Sequence, residues 1–166
     1  MVDAARLDSL PPAEFEAAVA PWFEGAPRFL ARLAGARPFD DEATLFARAE
    51  AIALAMPEAE QIELIDAHPR LGAPPASVSG ASHREQGYDR DTTEAIAELE
   101  RLNAEYERRF GFRYCVFVAG RPRAALIPGF EAALERPRDD ELRRALDAVV
   151  DIAIDRHAKL SAEGSR

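Results

Sequence analysis

The stretch "LRRALDAVVDIAIDRHAKL", residues 142–160, decides the fold class. Leu142, Leu146, Val149, Ala153, Arg156 and Leu160 follow one another at intervals of 4, 3, 4, 3 and 4, which is the spacing of a stripe along one face of an α-helix. Ala, Leu, Glu and Arg dominate the rest of the 166-residue chain as well, and strict apolar–polar alternation is rare. Pro or Gly punctuates it at intervals of roughly ten to twenty residues, as between short helices. The pattern predicts an all-α, single-domain bundle over residues 1–166, with about eight short to medium helices, at a common size for one compact domain.

Working outward from that helix, the other elements follow from their punctuation. Pro11 and Pro12 open a first helix through about Ala20, and Pro27 opens another through about Ala34. Asp40 is the expected N-cap of a helix to Met56 that turns Leu45, Ala49, Ile52 and Met56 inward, and Pro57 precedes a helix over 58–67. After the irregular "APPASVSG" at 73–80, a long helix from about Thr92 to Arg109 carries Ile96, Leu99, Leu102 (or Asn103) and Tyr106 as its inward stripe. A helix near 122–135 is expected to kink or break at Pro128, and the last helix runs from about Asp139 to Ser161. The β-rich run "FRYCVFVAG", 112–120, would have nothing to pair with as a lone strand. It is expected as a buried extended segment whose backbone groups need other partners.

Twenty-one Lys and Arg against thirty Asp and Glu give a net charge of −9, a field that repels polyanions and argues against nucleic acid as a partner. An anionic ligand would need a few placed cations. No apolar run is long enough to cross a bilayer, the N-terminus has no secretory pattern, and the single Cys115 has no partner for an internal disulfide. A cytoplasmic protein without a membrane segment is expected. The three histidines lack metal-binding spacing, and neither a Gly-rich phosphate loop nor a nucleophile elbow is present.

Three places draw attention as chemistry. Arg156 sits on the apolar stripe of the last helix, either reaching the surface or pairing with a buried carboxylate, or gripping an anion with its planar fork. "SHREQ", 82–86, has the capping-box pair Ser82 and Glu85. Alternatively, Glu85 orients a histidine while Gln86 bonds a urea or amide through its donor and its acceptor. In "DAHPRLG", 66–72, His68 stands at a helix-to-loop junction, as a cap on the helix dipole or as a proton-transfer group. His83 and His157 are expected to be exposed.

"HPRLG" at 68–72, "SHREQ" at 82–86, "LNAEYERRFGF" at 102–112 and the helix bearing Arg156, in that order, resemble the 2-oxo-4-hydroxy-4-carboxy-5-ureidoimidazoline (OHCU) decarboxylase family. "PWF" at 21–23 and "RPF" at 37–39 are similar to its N-terminal pattern, so the resemblance spans nearly the whole chain. It implies an all-α enzyme, usually a homodimer, that needs no metal or organic cofactor. The implied reaction converts OHCU, a small ureide, to (S)-allantoin with loss of carbon dioxide. By position, His68 matches the catalytic histidine and Glu85 its carboxylate. Pro69, Ser82, Gln86 and Arg156 match substrate contacts, and Tyr114, Cys115, Val116, Phe117 and Val118 match the backbone stretch lining the pocket. Two departures stand out: Arg70 adds charge to the histidine motif, and "GYDRDTTEAIAE" after Gln86 runs about three residues short of the family pattern.

Overall fold

The computed structural model describes residues 3–72 and 93–164. Among them lie eight α-helices and no strand. A short α1, Ala4–Asp8, precedes α2, Pro12–Val19, and a 3-10 turn at Ala20–Trp22 leads to α3, Pro27–Gly35. Then come α4, Glu42–Ala55, α5, Glu58–Asp66, α6, Thr93–Phe110, α7, Arg123–Leu134, and α8, Arg138–Glu163. α8 packs along α4, α5 and the 3-10 turn, α6 lies on α7, and α2 on α3. The core is aromatic-rich, with Phe15, Phe23, Phe29, Phe39, Tyr106, Phe112 and Phe130 fully buried, and burial of each such ring contributes about 1.5–3 kcal/mol.

Several boundaries differ from expectation. α1 was not anticipated; its five residues are too few to show periodicity, and its signal is Asp3, whose Oδ1 accepts from the Ala5 amide at 3.2 Å. Asp41, not Asp40, caps α4, its Oδ1 accepting from the Thr44 amide at 2.7 Å. Asp40 instead has φ +67 and donates its amide to Asp8 Oδ2 at 3.1 Å, so a contact from α1 shifts the cap by one residue. α7 continues through Pro128 without a break. His157, expected at the surface, is 7% exposed and meets Trp22 edge-on at 4.8 Å, because α8 packs against the 3-10 turn on that side. Leu160, the last member of the α8 stripe, is 41% exposed, since the stripe outruns the helices that cover it.

The segment after α6 forms neither helix nor strand and is largely buried, and side chains rather than a partner strand meet its backbone groups. The Arg113 amide donates to Asp66 Oδ1 at 2.9 Å. Arg144 Nη1 donates to the Cys115 carbonyl at 2.8 Å, and Arg121 donates to the carbonyls of Phe117 and Val118 at 2.7 and 3.0 Å. Tyr114 of this segment stacks on Phe130 at 3.8 Å, and the Arg144 guanidinium lies over the Tyr114 ring, 4.8 Å from its centre. Arg144 is fixed by the fully buried Glu141, which also accepts the Tyr106 hydroxyl at 2.7 Å. A buried carboxylate is stable only with such partners.

Candidate functional site

His68 is placed by the end of α5. The helix stops at Asp66, and proline at 69 disfavours continued helix at the histidine before it. Its amide still bonds back to the Ile65 carbonyl at 3.1 Å, and its ring Nδ1 lies 3.0 Å from the Leu64 carbonyl oxygen. A carbonyl only accepts, so Nδ1 carries the proton of this bond. In the neutral imidazole Nε2 then holds a bare lone pair. That nitrogen is buried, with no hydrogen-bond partner among the described residues. Capping and proton transfer are thus not mutually exclusive here, because one ring nitrogen caps α5 and the other keeps its lone pair. The group that orients the ring at Nδ1 is the Leu64 carbonyl; Glu85, expected to orient a histidine, lies outside the described residues.

The turn that follows is held at several points. Arg113 Nη1 donates to the carbonyls of Asp66 and His68 at 2.7 and 3.2 Å, which brings the start of the 114–118 segment beside the histidine turn. Asn103 Nδ2 donates to the Leu71 carbonyl at 2.8 Å, and Gly72, with φ +83, lies where a Cβ would sit 3.2 Å from Leu99 Cβ. Arg70 does not add its charge to the site. Its half-exposed side chain turns to Glu107 on α6 with Nε to Oε2 at 2.9 Å, a surface pair worth about 1 kcal/mol or less. "LNAEYERRFGF" therefore supplies Asn103 and Glu107 to hold the histidine motif from the facing helix.

Arg156 enters from α8 and is 2% exposed. Its Nη2 donates to Glu24 Oε1 at 2.8 Å and its Nη1 to the Pro21 carbonyl at 3.1 Å. The "PWF" turn thus grips the guanidinium. Both charges reach His68. Burial first, and the Arg156 cation second, push its pKa down to about 4, with Glu24 opposing them. At neutral pH the imidazole is uncharged and its lone pair available.

This predicts a pH effect on stability. An unfolded histidine with its ordinary 6.5 takes up a proton before the folded one at about 4. The unfolded state therefore binds more protons as pH falls through that window, and about 3 kcal/mol of stability is lost across it. Urea unfolding at pH 7 and pH 4.5 should show a smaller acid loss in His68→Asn than in the parent protein. Equal losses in the two would mean that His68 is not held neutral by the fold.

Of the expected site residues, the structure buries both His68 and Arg156 and sets the histidine within the electrostatic reach of the guanidinium, with Pro69 directly after the histidine. Tyr114, Cys115 and Val118 are buried and Val116 and Phe117 half-buried, in a segment anchored to α8 through Arg144. Ser82, His83, Glu85, Gln86 and residues 87–92 of the shortened stretch lie outside the described residues, whereas 93–98 of that stretch begin α6. The residues missed from sequence are Glu24, Asn103 and Arg113. Only Asn103 left a signal, a polar side chain on the inward stripe of α6. Among the described residues no group of three His, Cys, Asp or Glu is placed to hold a metal ion.

A family model described as OHCU decarboxylase matches residues 8–158. The chain is 32% identical over 144 residues to the uric acid degradation bifunctional protein PucL of Bacillus subtilis (strain 168), covering 85% of this chain and 29% of that protein. It spans less than a third of that relative's length. It is 28% identical over 134 residues to the 2-oxo-4-hydroxy-4-carboxy-5-ureidoimidazoline decarboxylase of Haloferax volcanii, covering 79% of each. A crystal structure of OHCU decarboxylase in the presence of (S)-allantoin shares the fold, with a TM-score of 0.72 at 22% identity over 86% of this chain and 96% of that one.

Proposed function

Because the chain belongs to the OHCU decarboxylase family, we propose that it decarboxylates OHCU to (S)-allantoin, as a single domain over 1–166 without metal or organic cofactor. In this reading it is a cytoplasmic homodimer. The observation that carries the proposal is the buried Nε2 of His68, left with its lone pair by the Nδ1 bond to Leu64 and within the electrostatic reach of the Arg156 guanidinium. A base and a cation so arranged suit an acid bearing both a carboxylate and a hydroxyl.

The substrate carries its carboxylate and a hydroxyl on a carbon next to a ring C=N bond. When the C–C bond to carbon dioxide breaks, its electron pair forms a new ring C=C bond and the C=N pair moves onto nitrogen, which takes a proton from water. The substrate is its own electron sink. Arg156 holds the substrate carboxylate, and Nε2 of His68 takes the proton of the neighbouring hydroxyl as the ketone forms. The imidazolium then returns a proton to the ureido-bearing carbon from one face, giving one enantiomer. Binding supports this step. The incoming anion offsets the Arg156 field that depresses the histidine, so its proton affinity rises when the substrate is present. Glu85 orients His68 in this reading, and Ser82, Gln86, Pro69 and the backbone of 114–118 complete the proposed site around the ureido and ring amides.

Freshly generated OHCU, followed by circular dichroism, tests the reading. The expected result is accelerated formation of optically active allantoin. Turnover of another ureido acid with none of OHCU would favour a related lyase, the reading suggested by the altered stretch after Gln86. A folded protein inert toward all such acids would leave a helical binding module.

A further inference from the structure

We propose that Glu24 is a positioning residue that shares the charge of Arg156, so that the guanidinium orients the substrate carboxylate without clamping it. The inference rests on the decarboxylase reading above. Glu24 comes from the turn after the 3-10 element, 132 residues from Arg156 in sequence, and the two side chains meet at 2.8 Å with 13% and 2% exposure. Its backbone is unusual: φ is +54, a left-handed conformation that side-chain-bearing residues seldom adopt. The Gly25 amide closes the same turn on the Ala20 carbonyl at 3.0 Å. A glycine would serve this turn at lower conformational cost. A glutamate held there against its backbone preference, with its carboxylate on a buried arginine, points to a task for that carboxylate.

The task follows from the direction in which charge moves. In decarboxylation the negative charge leaves the carboxylate as neutral carbon dioxide and spreads into the ring. A cation committed wholly to the carboxylate therefore stabilises the bound substrate more than the transition state, which lowers KM and kcat together. The Glu24 carboxylate accepts from Nη2 of the fork and the Pro21 carbonyl from Nη1, and the negative charge of Glu24 weakens the net field that the substrate meets. The same pair acts with opposite signs on His68, so Glu24 also favours the imidazolium that forms during turnover. A plain structural ion pair would do neither.

Glu24→Gln keeps an acceptor oxygen for Arg156 and removes only the charge. The expected result is a split: kcat for OHCU falls by about tenfold, the lower end of the coupling between close charges, while KM falls as well, the pattern of an over-stabilised ground state. By calorimetry the variant should bind N-carbamoylglycine, a ureide with a carboxylate, more tightly than the parent, and bind (S)-allantoin, which has none, equally well. Unchanged kinetics, a rise in KM, or equal shifts for both ligands would overturn the proposal. The binding arm does not depend on turnover, so a parent protein inert toward OHCU would sink the decarboxylase reading while leaving the Glu24 comparison readable. Glu24→Asp, which keeps the charge on a shorter arm, should retain kcat within about threefold of the parent. Failure of both variants to fold would also overturn the proposal, since that is the signature of a purely structural pair.

Discussion

Replacing His68 with asparagine is expected to give a folded protein whose kcat toward OHCU is lower by at least about 10²-fold, the scale of a positioned acid–base group. Asparagine suits the experiment because its amide N–H can still donate to the Leu64 carbonyl that now receives Nδ1 at 3.0 Å. What disappears is the nitrogen lone pair at the Nε2 position. A 10²-fold loss corresponds to about 3 kcal/mol of barrier. The variant should also resist acid better than the parent, because no buried imidazole remains to be charged. The two effects point in opposite directions, which separates them from general damage: lost activity with undiminished stability indicts the lone pair, whereas activity and stability falling together would indicate that His68 is chiefly a cap. Turnover within a few-fold of the parent would remove His68 from the chemistry altogether.

What was legible in the sequence, and what was not, divides by the range over which the physics acts. The α8 stripe could be read because helical spacing is local, and Arg156 stood out against it as a cation among Leu146, Val149 and Ala153. The junction at His68 could be read because proline acts on its immediate neighbour. The partner of Arg156 could not. Glu24 is one of thirty acidic residues, and nothing in its surroundings marks it until the 3-10 turn brings it beneath α8. The same holds for Arg113, which reads as one charge in a β-rich run and proves to tie that run to the carbonyls of Asp66 and His68. Arg70 is the reverse case: a charge that seemed close to the chemistry by sequence is drawn away by Glu107, 37 residues further on. Helices, in short, were written in neighbours, whereas the site was written in pairs of distant charges.

Arg156→Lys is expected to lower kcat/KM by on the order of 10²-fold, because truncating one member of a buried, hydrogen-bonded charge pair typically costs 2–5 kcal/mol. The charge is retained in this variant, so the loss isolates geometry. The guanidinium reaches the Pro21 carbonyl at 3.1 Å and Glu24 at 2.8 Å from two different nitrogens, a planar arrangement of donors that also suits a carboxylate. An ammonium group is a compact point charge on a flexible stem and cannot satisfy these partners in one plane. Arg156→Met is the complementary variant. It removes the cation from the Glu24 pair, so stability should drop by roughly 3–5 kcal/mol, and Glu24→Gln in the same protein should restore part of it by removing the charge that Arg156 balanced. Activity should not return with it. If stability and kcat/KM were both recovered in the double variant, Arg156 would be a structural partner of Glu24 and nothing more; recovery of stability alone places the guanidinium on the substrate.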